Sequence, residues 1–297
     1  MLFQKGSKSL QLYLNEFIPR LGLSGLTVSA MAYSKARRKL KHTAFIELNQ
    51  TAVIQTMYED GDYRTFHGFR ILACDGSKIR LPEDDPKVAT VFGARAYKAG
   101  AGSKPTGVHA MALASVFYDV LNRIALDARL LPVAIHEVSA AISQLKGTSD
   151  DHFLADQLTK DDLIVQDRGY DSYRMLAALS KTPAQFVVRA KRGSGMRVVD
   201  EMLTGSSSND RIETIILPEH LAERPDYQGV PSSLTLRFVR VVLKDGSAEV
   251  LITSIVDPER LSVADLKELY YLRWGIETFY SVLKIRLGLE NFSRILS

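Results

Sequence analysis

Asp162-Leu163-Ile164-Val165-Gln166-Asp167-Arg168-Gly169-Tyr170 is an apolar strand that ends in a carboxylate and turns at once toward a helix over 172–179. A second stretch repeats the pattern: Phe69-Arg70-Ile71-Leu72-Ala73-Cys74-Asp75, followed by Gly76 and Ser77. Short apolar runs bounded by turn residues read as strands buried on both faces. Two strands far apart in the chain therefore each deliver an aspartate at a carboxyl end. In sheets with helical crossovers, that is the end where ligands collect.

Working outward, residues 108–120 and 123–131 read as two further strands joined by a turn at Asp119-Val120-Leu121-Asn122, and 184–190 as another. Helical patterns cover about 136–146 and 150–158. The segment 99–107 is rich in glycine, but its Gly-Ser-Lys-Pro order is wrong for a phosphate loop, so it reads as a basic loop. A block of strands follows at 211–217, 233–243 and 248–256, the last two joined by a hairpin at Lys244-Asp245-Gly246-Ser247. Its texture differs from what precedes it, and it reads as an insertion into the core. The first sixty-odd residues are helical in pattern. One helix runs through Leu10-Gln11-Leu12-Tyr13-Leu14-Asn15-Glu16-Phe17-Ile18 until Pro19 breaks it, and a serine-rich entry at Ser29 opens a basic helix carrying Arg37 and Arg38.

The chain of 297 residues is 46% hydrophobic and 24% charged, which excludes a disordered tail, a collagen-like chain and a small disulfide scaffold. Its one cysteine, Cys74, alternates away from Asp75 and reads as a core residue; one cysteine excludes an intrachain disulfide and a cysteine zinc site, and suggests a reducing compartment. No apolar run is long enough to span a bilayer, and no secretory signal opens the chain. The net charge of +4 is mild, but the charges are segregated. Residues 31–41, 86–118 and 172–199 hold five, four and six basic residues with no acid, while 148–167 carries six aspartates and one lysine. Acid-free basic runs suit a polyanion-binding surface, although each one alone is equally a solvated face.

The last element reads as one long helix over 263–287, with Ser262 as N-cap and Asp265 three residues on. Tyr270, Arg273, Glu277 and Lys284 stand at offsets of 0, 3, 7 and 14. At about 100° per residue they share one stripe within roughly 60° of arc. Leu269, Leu272, Ile276, Phe279 and Leu283 form the apolar stripe beside it. Taken locally, Arg273 and Glu277 are also an ordinary i,i+4 ion pair. Trp274 lies off the Glu277 face and reads as packing, and Asp171 as a helix-start residue.

The spacing Tyr270-x2-Arg273-x3-Glu277-x6-Lys284 resembles the Y-(2)-R-(3)-E-(6)-K signature of the insertion-sequence-four family of DDE transposases. Asp75-Gly76-Ser77 resembles that family's first-aspartate motif, and Asp167-Arg168-Gly169-Tyr170-x2-Tyr173 its second. The resemblance implies an α/β fold: a ribonuclease-H-like mixed sheet flanked by helices, interrupted by a β-rich insertion, with an N-terminal helical region. The expected organisation is a DNA-binding region over 1–66, core over 67–192, insertion over 193–262 and final helix over 263–297. Relatives continue into further helices, so the resemblance also implies a shortened C-terminus.

The implied activity is metal-dependent DNA strand cleavage and strand transfer at transposon inverted-repeat ends, that is, cut-and-paste transposition. Asp75, Asp167 and Glu277 are the implied catalytic and metal-holding residues. An all-oxygen set suits two Mg²⁺ or Mn²⁺ ions, with Asp75 expected to bridge them and Asp167 and Glu277 each to hold one. Tyr270, Arg273 and Lys284 are the implied contacts to end DNA, with Arg37 and Arg38 on the basic N-terminal helix. The implied partners are double-stranded DNA with inverted-repeat ends and a second copy in a homodimeric end complex. No membrane partner is expected, and the setting is the bacterial cytoplasm at the nucleoid. The rival readings are a truncated remnant that binds DNA without cutting, and a non-mobile endonuclease on the same core.

Overall fold

The computed structural model describes residues 9–23, 25–83, 86–96, 104, 107–147, 153–205 and 208–290. Most of the basic loop expected over 99–107 lies outside the described residues. The chain divides into two compact units, one of residues 1–63 with 281–291 and one that includes 64–280.

The first unit is helical: α1 (Leu10–Arg20), α2 (Ala30–Arg37) and α3 (His42–Leu48), which runs through a π-helical turn (Asn49–Gln55) into α4 (Thr56–Glu59). Ser29 caps α2 as expected, its hydroxyl accepting the Ala32 N–H at 3.1 Å. Pro19 does not stop α1, which runs one residue further; it sits in the last turn, where the helix ends in any case. The Gln11 side chain ties α1 to the start of α2, accepting the Ala30 N–H at 2.8 Å and donating to the Val28 carbonyl at 3.0 Å.

The second unit is built on a nine-stranded sheet. Its strands are β1 (Arg70–Arg80), β2 (Ala94–Ala96), β3 (Val108–Asp119), β4 (Ile124–Pro132), β5 (Asp162–Gln166), β6 (Gln185–Ala190), β7 (Asp210–Ile216), β8 (Ser233–Val242) and β9 (Ala248–Thr253). The order is β3-β1-β5-β6-β9-β8-β7, and both β2 and β4 pair with β3. β1, β5 and β6 run parallel and the other pairings are antiparallel. An antiparallel β1-β3-β4 set followed by parallel β5 and β6 makes this a mixed, ribonuclease-H-like α/β sheet. β9, β8 and β7, which carry most of the block read from sequence as an insertion, pair onto β6 and extend the same sheet.

Between these strands lie α5 (Pro86–Phe92), α6 (Glu137–Lys146), α7 (Phe153–Gln157), α8 (Tyr173–Leu179), α9 (Arg197–Thr204) and α10 (Glu219–Ala222). The alternation of strand side chains divides the core into two layers. Leu72, Cys74, Ile164, Phe186 and Val188 pack with α6, α8 and α9. Ile71, Leu163, Val165 and Val187 face the other way and pack under Leu266 and Leu269. Those leucines belong to α11 (Val263–Leu272), which is followed by α12 (Trp274–Ser281). Ser262 and Asp265 form the expected capping box at the start of α11.

The single long helix expected over 263–287 is therefore broken. At the joint the Arg273 N–H bonds to the Tyr270 carbonyl at 3.2 Å and the Ile276 N–H to the Arg273 carbonyl at 3.1 Å, the tighter i→i−3 pattern. Gly275 lies there against the Val120 turn, where a Cβ would meet Val120 Cβ at 2.9 Å. Trp274, expected to pack, is exposed, as is Tyr271 three residues before it.

Candidate active site

β1, β5 and β6 are in register, with Cys74 opposite Gln166 and Gln166 opposite Val188. The next residues along each strand direction are Asp75, Asp167 and Arg189, so one level of the sheet presents two carboxylates and a guanidinium side by side. Cys74 is buried beneath this level, as its alternation predicts, and burial pushes its thiol pKa well up.

Burial pushes the Asp75 carboxyl up to about 6; Glu137 and Asp167 push the same way, against the Gly76 N–H and Arg273. The Asp75 Oδ1 accepts that Gly76 N–H at 2.8 Å. Asp167 is in the opposite state. Burial opposes its ionisation, but the Arg168 N–H, Arg189 and Arg273 outweigh it and hold the carboxyl below its usual range. Its Oδ1 accepts from Arg168 N at 2.6 Å, Arg189 Nε at 3.0 Å, Arg189 Nη2 at 2.7 Å and the Tyr270 hydroxyl at 3.1 Å.

Glu277 on α12 accepts from Arg273 Nη2 at 2.8 Å, so the i,i+4 pair read from sequence is present. Arg273 is buried, and its Nε has no partner. The Arg189 and Arg273 guanidiniums each lie 5.6 Å from the Tyr270 ring centroid. Burial and Asp167 raise the Tyr270 pKa, which keeps its hydroxyl a neutral donor.

Asp75, Asp167, Tyr270, Arg273 and Glu277 are thus linked through direct bonds or short-range charge. Lys284, Arg37 and Arg38 belong to the helical unit: Lys284 pairs with Glu290 at 3.9 Å, while Arg37 ends α2 and Arg38 caps it, both exposed. Sequence reasoning missed Arg189, which also pairs with Glu249. The available signal was that β6, like β1 and β5, meets a charged residue at the same level. Tyr280 was missed as well; its hydroxyl lies 3.0 Å from both the Asp75 and Ala114 carbonyls and seats α12 on β1 and β3. Asp171, read as a helix-start residue, is buried and accepts the Lys191 N–H at 2.8 Å, tying the turn after β5 to the end of β6.

The donor chemistry of this site suits a hard divalent cation, since its candidate ligands are all carboxylate oxygens. Among the described residues no three His, Cys, Asp or Glu side chains converge tightly enough to hold an ion by themselves. The Asp75–Asp167 pair still fits Mg²⁺, which commonly takes one or two carboxylates together with waters and substrate phosphates. Burial, more than its acidic neighbours, raises the Asp75 pKa, and a cation beside a buried carboxylate favours its charged form. Among the described residues no helix is long and apolar enough to cross a membrane.

No curated protein matches the chain. Among solved structures, a piggyBac transposase in a synaptic complex with hairpin DNA is similar over 73% of this chain and 40% of its own, at 11% identity and a TM-score of 0.43. The NurA nuclease from Sulfolobus solfataricus is similar over 89% of this chain and 99% of its own, at 12% identity and a TM-score of 0.32. This chain thus spans 40% of the length of the piggyBac transposase it matches. The family model described as a transposase DDE domain matches residues 67–295, which takes in Asp75, Asp167 and Glu277, and the chain belongs to that family.

Proposed function

We propose that this protein is a DNA transposase of the insertion-sequence-four type that cleaves and joins DNA strands at transposon inverted-repeat ends. The observation that carries this reading is the pairing of Asp75 and Asp167 at one level of adjacent parallel strands, bridged by Arg273 to Glu277, in a chain of the DDE family. Asp75, Asp167 and Glu277 would hold two Mg²⁺ or Mn²⁺ ions. When bound, such ions activate a water or a DNA 3′-hydroxyl and stabilise the leaving oxygen of an in-line displacement at phosphorus.

The chain's own residues orient the rest. Arg273, with an unpartnered buried Nε, and Arg189 supply charge beside the carboxylates for a backbone phosphate. Tyr270 stays protonated and donates a hydrogen bond. Lys284, Arg37 and Arg38 would contact end DNA through phosphates. Two copies would assemble on paired ends, and the reaction would run by cut-and-paste at the bacterial nucleoid.

The test uses the purified chain, Mn²⁺ or Mg²⁺, and the gene's own flanking DNA. The expected result is nicking at the inverted-repeat boundary that Glu277→Gln abolishes while DNA binding remains. Absence of cutting by the wild type, or unaltered cutting by the variant, overturns the reading. Salt-sensitive binding without any cutting would instead identify a remnant, and cutting indifferent to ends a nuclease.

A further inference from the structure

β7 ends the sheet: it pairs with β8 in unbroken register, and no described strand pairs with its outer side. At the two ends of that ladder the Arg240 N–H donates to the Asn209 carbonyl and the Leu217 N–H to the Ser232 carbonyl, each at 2.8 Å. Hydrogen-bonded pairs alternate along an antiparallel ladder. The odd-numbered residues of β7 therefore bond to β8, and Ile212, Thr214 and Ile216 turn their N–H and C=O groups to the free edge. All three are exposed, the isoleucines by 55% and 66%.

Such an edge invites another strand, and folded proteins usually blunt it with proline, lysine or a bulge. β7 has none of these, whereas β4, at the other side of the sheet, shifts register against β3 at Phe117/Tyr118. On its face toward α9, β7 carries Arg211 and Glu213, which pair with each other, Arg211 also reaching Glu201 on α9. That face borders a groove of about 730 Å³ that α10 closes on the far side.

The charges select a partner strand. In a two-fold antiparallel pair of β7 strands, outward-turned residues must meet outward-turned residues. Centring the pair on Ile212 sets Arg211 opposite the partner's Glu213 at both ends of the axis. Centring it on Glu213 sets carboxylate against carboxylate, and centring it on Thr214 leaves each Glu213 opposite an isoleucine. Opposite charges across a ladder stabilise it and like charges oppose it, most closely in the non-hydrogen-bonded pairs that these residues would form, with Cα atoms about 4.5 Å apart.

We propose that two copies of this chain associate through antiparallel pairing of their β7 strands, centred on Ile212, so that one sheet runs across both. The inference is independent of the transposase reading, because the contact needs neither DNA nor metal. Analytical ultracentrifugation of the full chain, free of both, tests it over a concentration series. Wild type is expected to dimerise reversibly. Thr214→Pro removes an outward N–H while leaving the β8 ladder intact, and should be monomeric. Arg211→Glu and Glu213→Arg each set like charges opposite one another, and should each weaken self-association about tenfold or more. Mixed in equal amounts, these two variants regain opposite charges at both positions and should associate as wild type does.

A wild type that stays monomeric at every concentration overturns the proposal. So does a dimer that Thr214→Pro or either charge variant leaves unweakened, or a pair of folded charge variants that fails to recover on mixing. Should a charge variant not fold, Ile212→Lys replaces it at an exposed position, setting two lysines face to face on the two-fold axis. An unweakened dimer of that variant overturns the proposal in the same way.

Discussion

Arg189→Gln removes the guanidinium that joins Asp167 to Glu249. The Arg189–Asp167 contact is 2.7 Å long, with side-chain exposures of 21% and 32%. At that separation an effective dielectric of ~20 gives a gross attraction of about 6 kcal/mol. Desolvating both groups takes back most of it. Fully exposed pairs are worth ~0–1 kcal/mol and breaking fully buried ones costs ~3–5 kcal/mol. A pair of intermediate exposure that leaves two carboxylates unmatched belongs between these, so the expected loss is about 2 kcal/mol. For a domain of this size that lowers the melting temperature by about 4–8 °C. Urea denaturation of wild type, Arg189→Gln, Asp167→Asn and the double variant isolates the pair, with an expected coupling of about 1.5 kcal/mol. The measurement is then repeated in saturating Mn²⁺. If a cation held by Asp167 takes over the role of Arg189, the deficit of the Arg189 variant shrinks to less than half. A deficit below about 0.5 kcal/mol without metal, or additive single effects, would show that Arg189 is not what holds Asp167 ionised.

Two other perturbations test neighbouring parts of the site. Burial pushes the Asp75 carboxyl from its ordinary 3.8 up to about 6 in the folded chain, so the folded form binds the extra proton between those values. Its contribution to stability is therefore full below pH about 4, falls as pH rises to about 6 and stays low above that, a change of at most about 3 kcal/mol. The stability difference between metal-free wild type and Asp75→Asn should trace this fall, and a difference that does not vary with pH refutes it. Gly275→Ala gains about 1 kcal/mol of helix propensity but forces a methyl to 2.9 Å from Val120 Cβ. Overpacking costs ~1–3 kcal/mol, so a net loss of about 1 kcal/mol is expected, with weakened cleavage and retained DNA binding, because the start of α12 carries Glu277. A more stable variant would mean that the turn at Val120 yields freely.

The elements that sequence reading resolves are those whose cause is local. β1 and β5 are apolar runs because both their faces are buried, and the capping box at Ser262 is written within four residues. The break at Arg273 is different. The 3.6-residue period continues across it, and Gly275 there lies against Val120, more than a hundred residues away in the chain. The exposure of Trp274 was not read from the sequence either. Arg189 looked like one member of a basic run, since its partners Asp167 and Glu249 stand 22 and 60 residues distant. Glu137 lies near Gly76 only once α6 folds back over β1. The pairing of β9 onto β6 is likewise a property of the assembled sheet, although the strands themselves were legible.

The two motif aspartates are in different states, Asp75 raised chiefly by burial and Asp167 held below its usual range by arginines and the Arg168 N–H. Asp75, Asp167, Glu277, Glu137 and Glu249 face two guanidiniums, Arg189 and Arg273. Asp167 and Glu277 each accept from an arginine, while burial, with Glu137 and Asp167 adding to it, drives the Asp75 carboxyl toward its neutral form. Arginine binds one oxygen of each, Oδ1 of Asp167 and Oε1 of Glu277. A cation held by Asp75 and Asp167 would compete with Arg189 for the Asp167 carboxylate and would leave guanidinium charge for a phosphate. The Arg189 variant in Mn²⁺ reads one side of this balance, and the pH profile of Asp75 reads the other. If the arrangement is right, the two must agree on how much negative charge the metal-free site fails to neutralise.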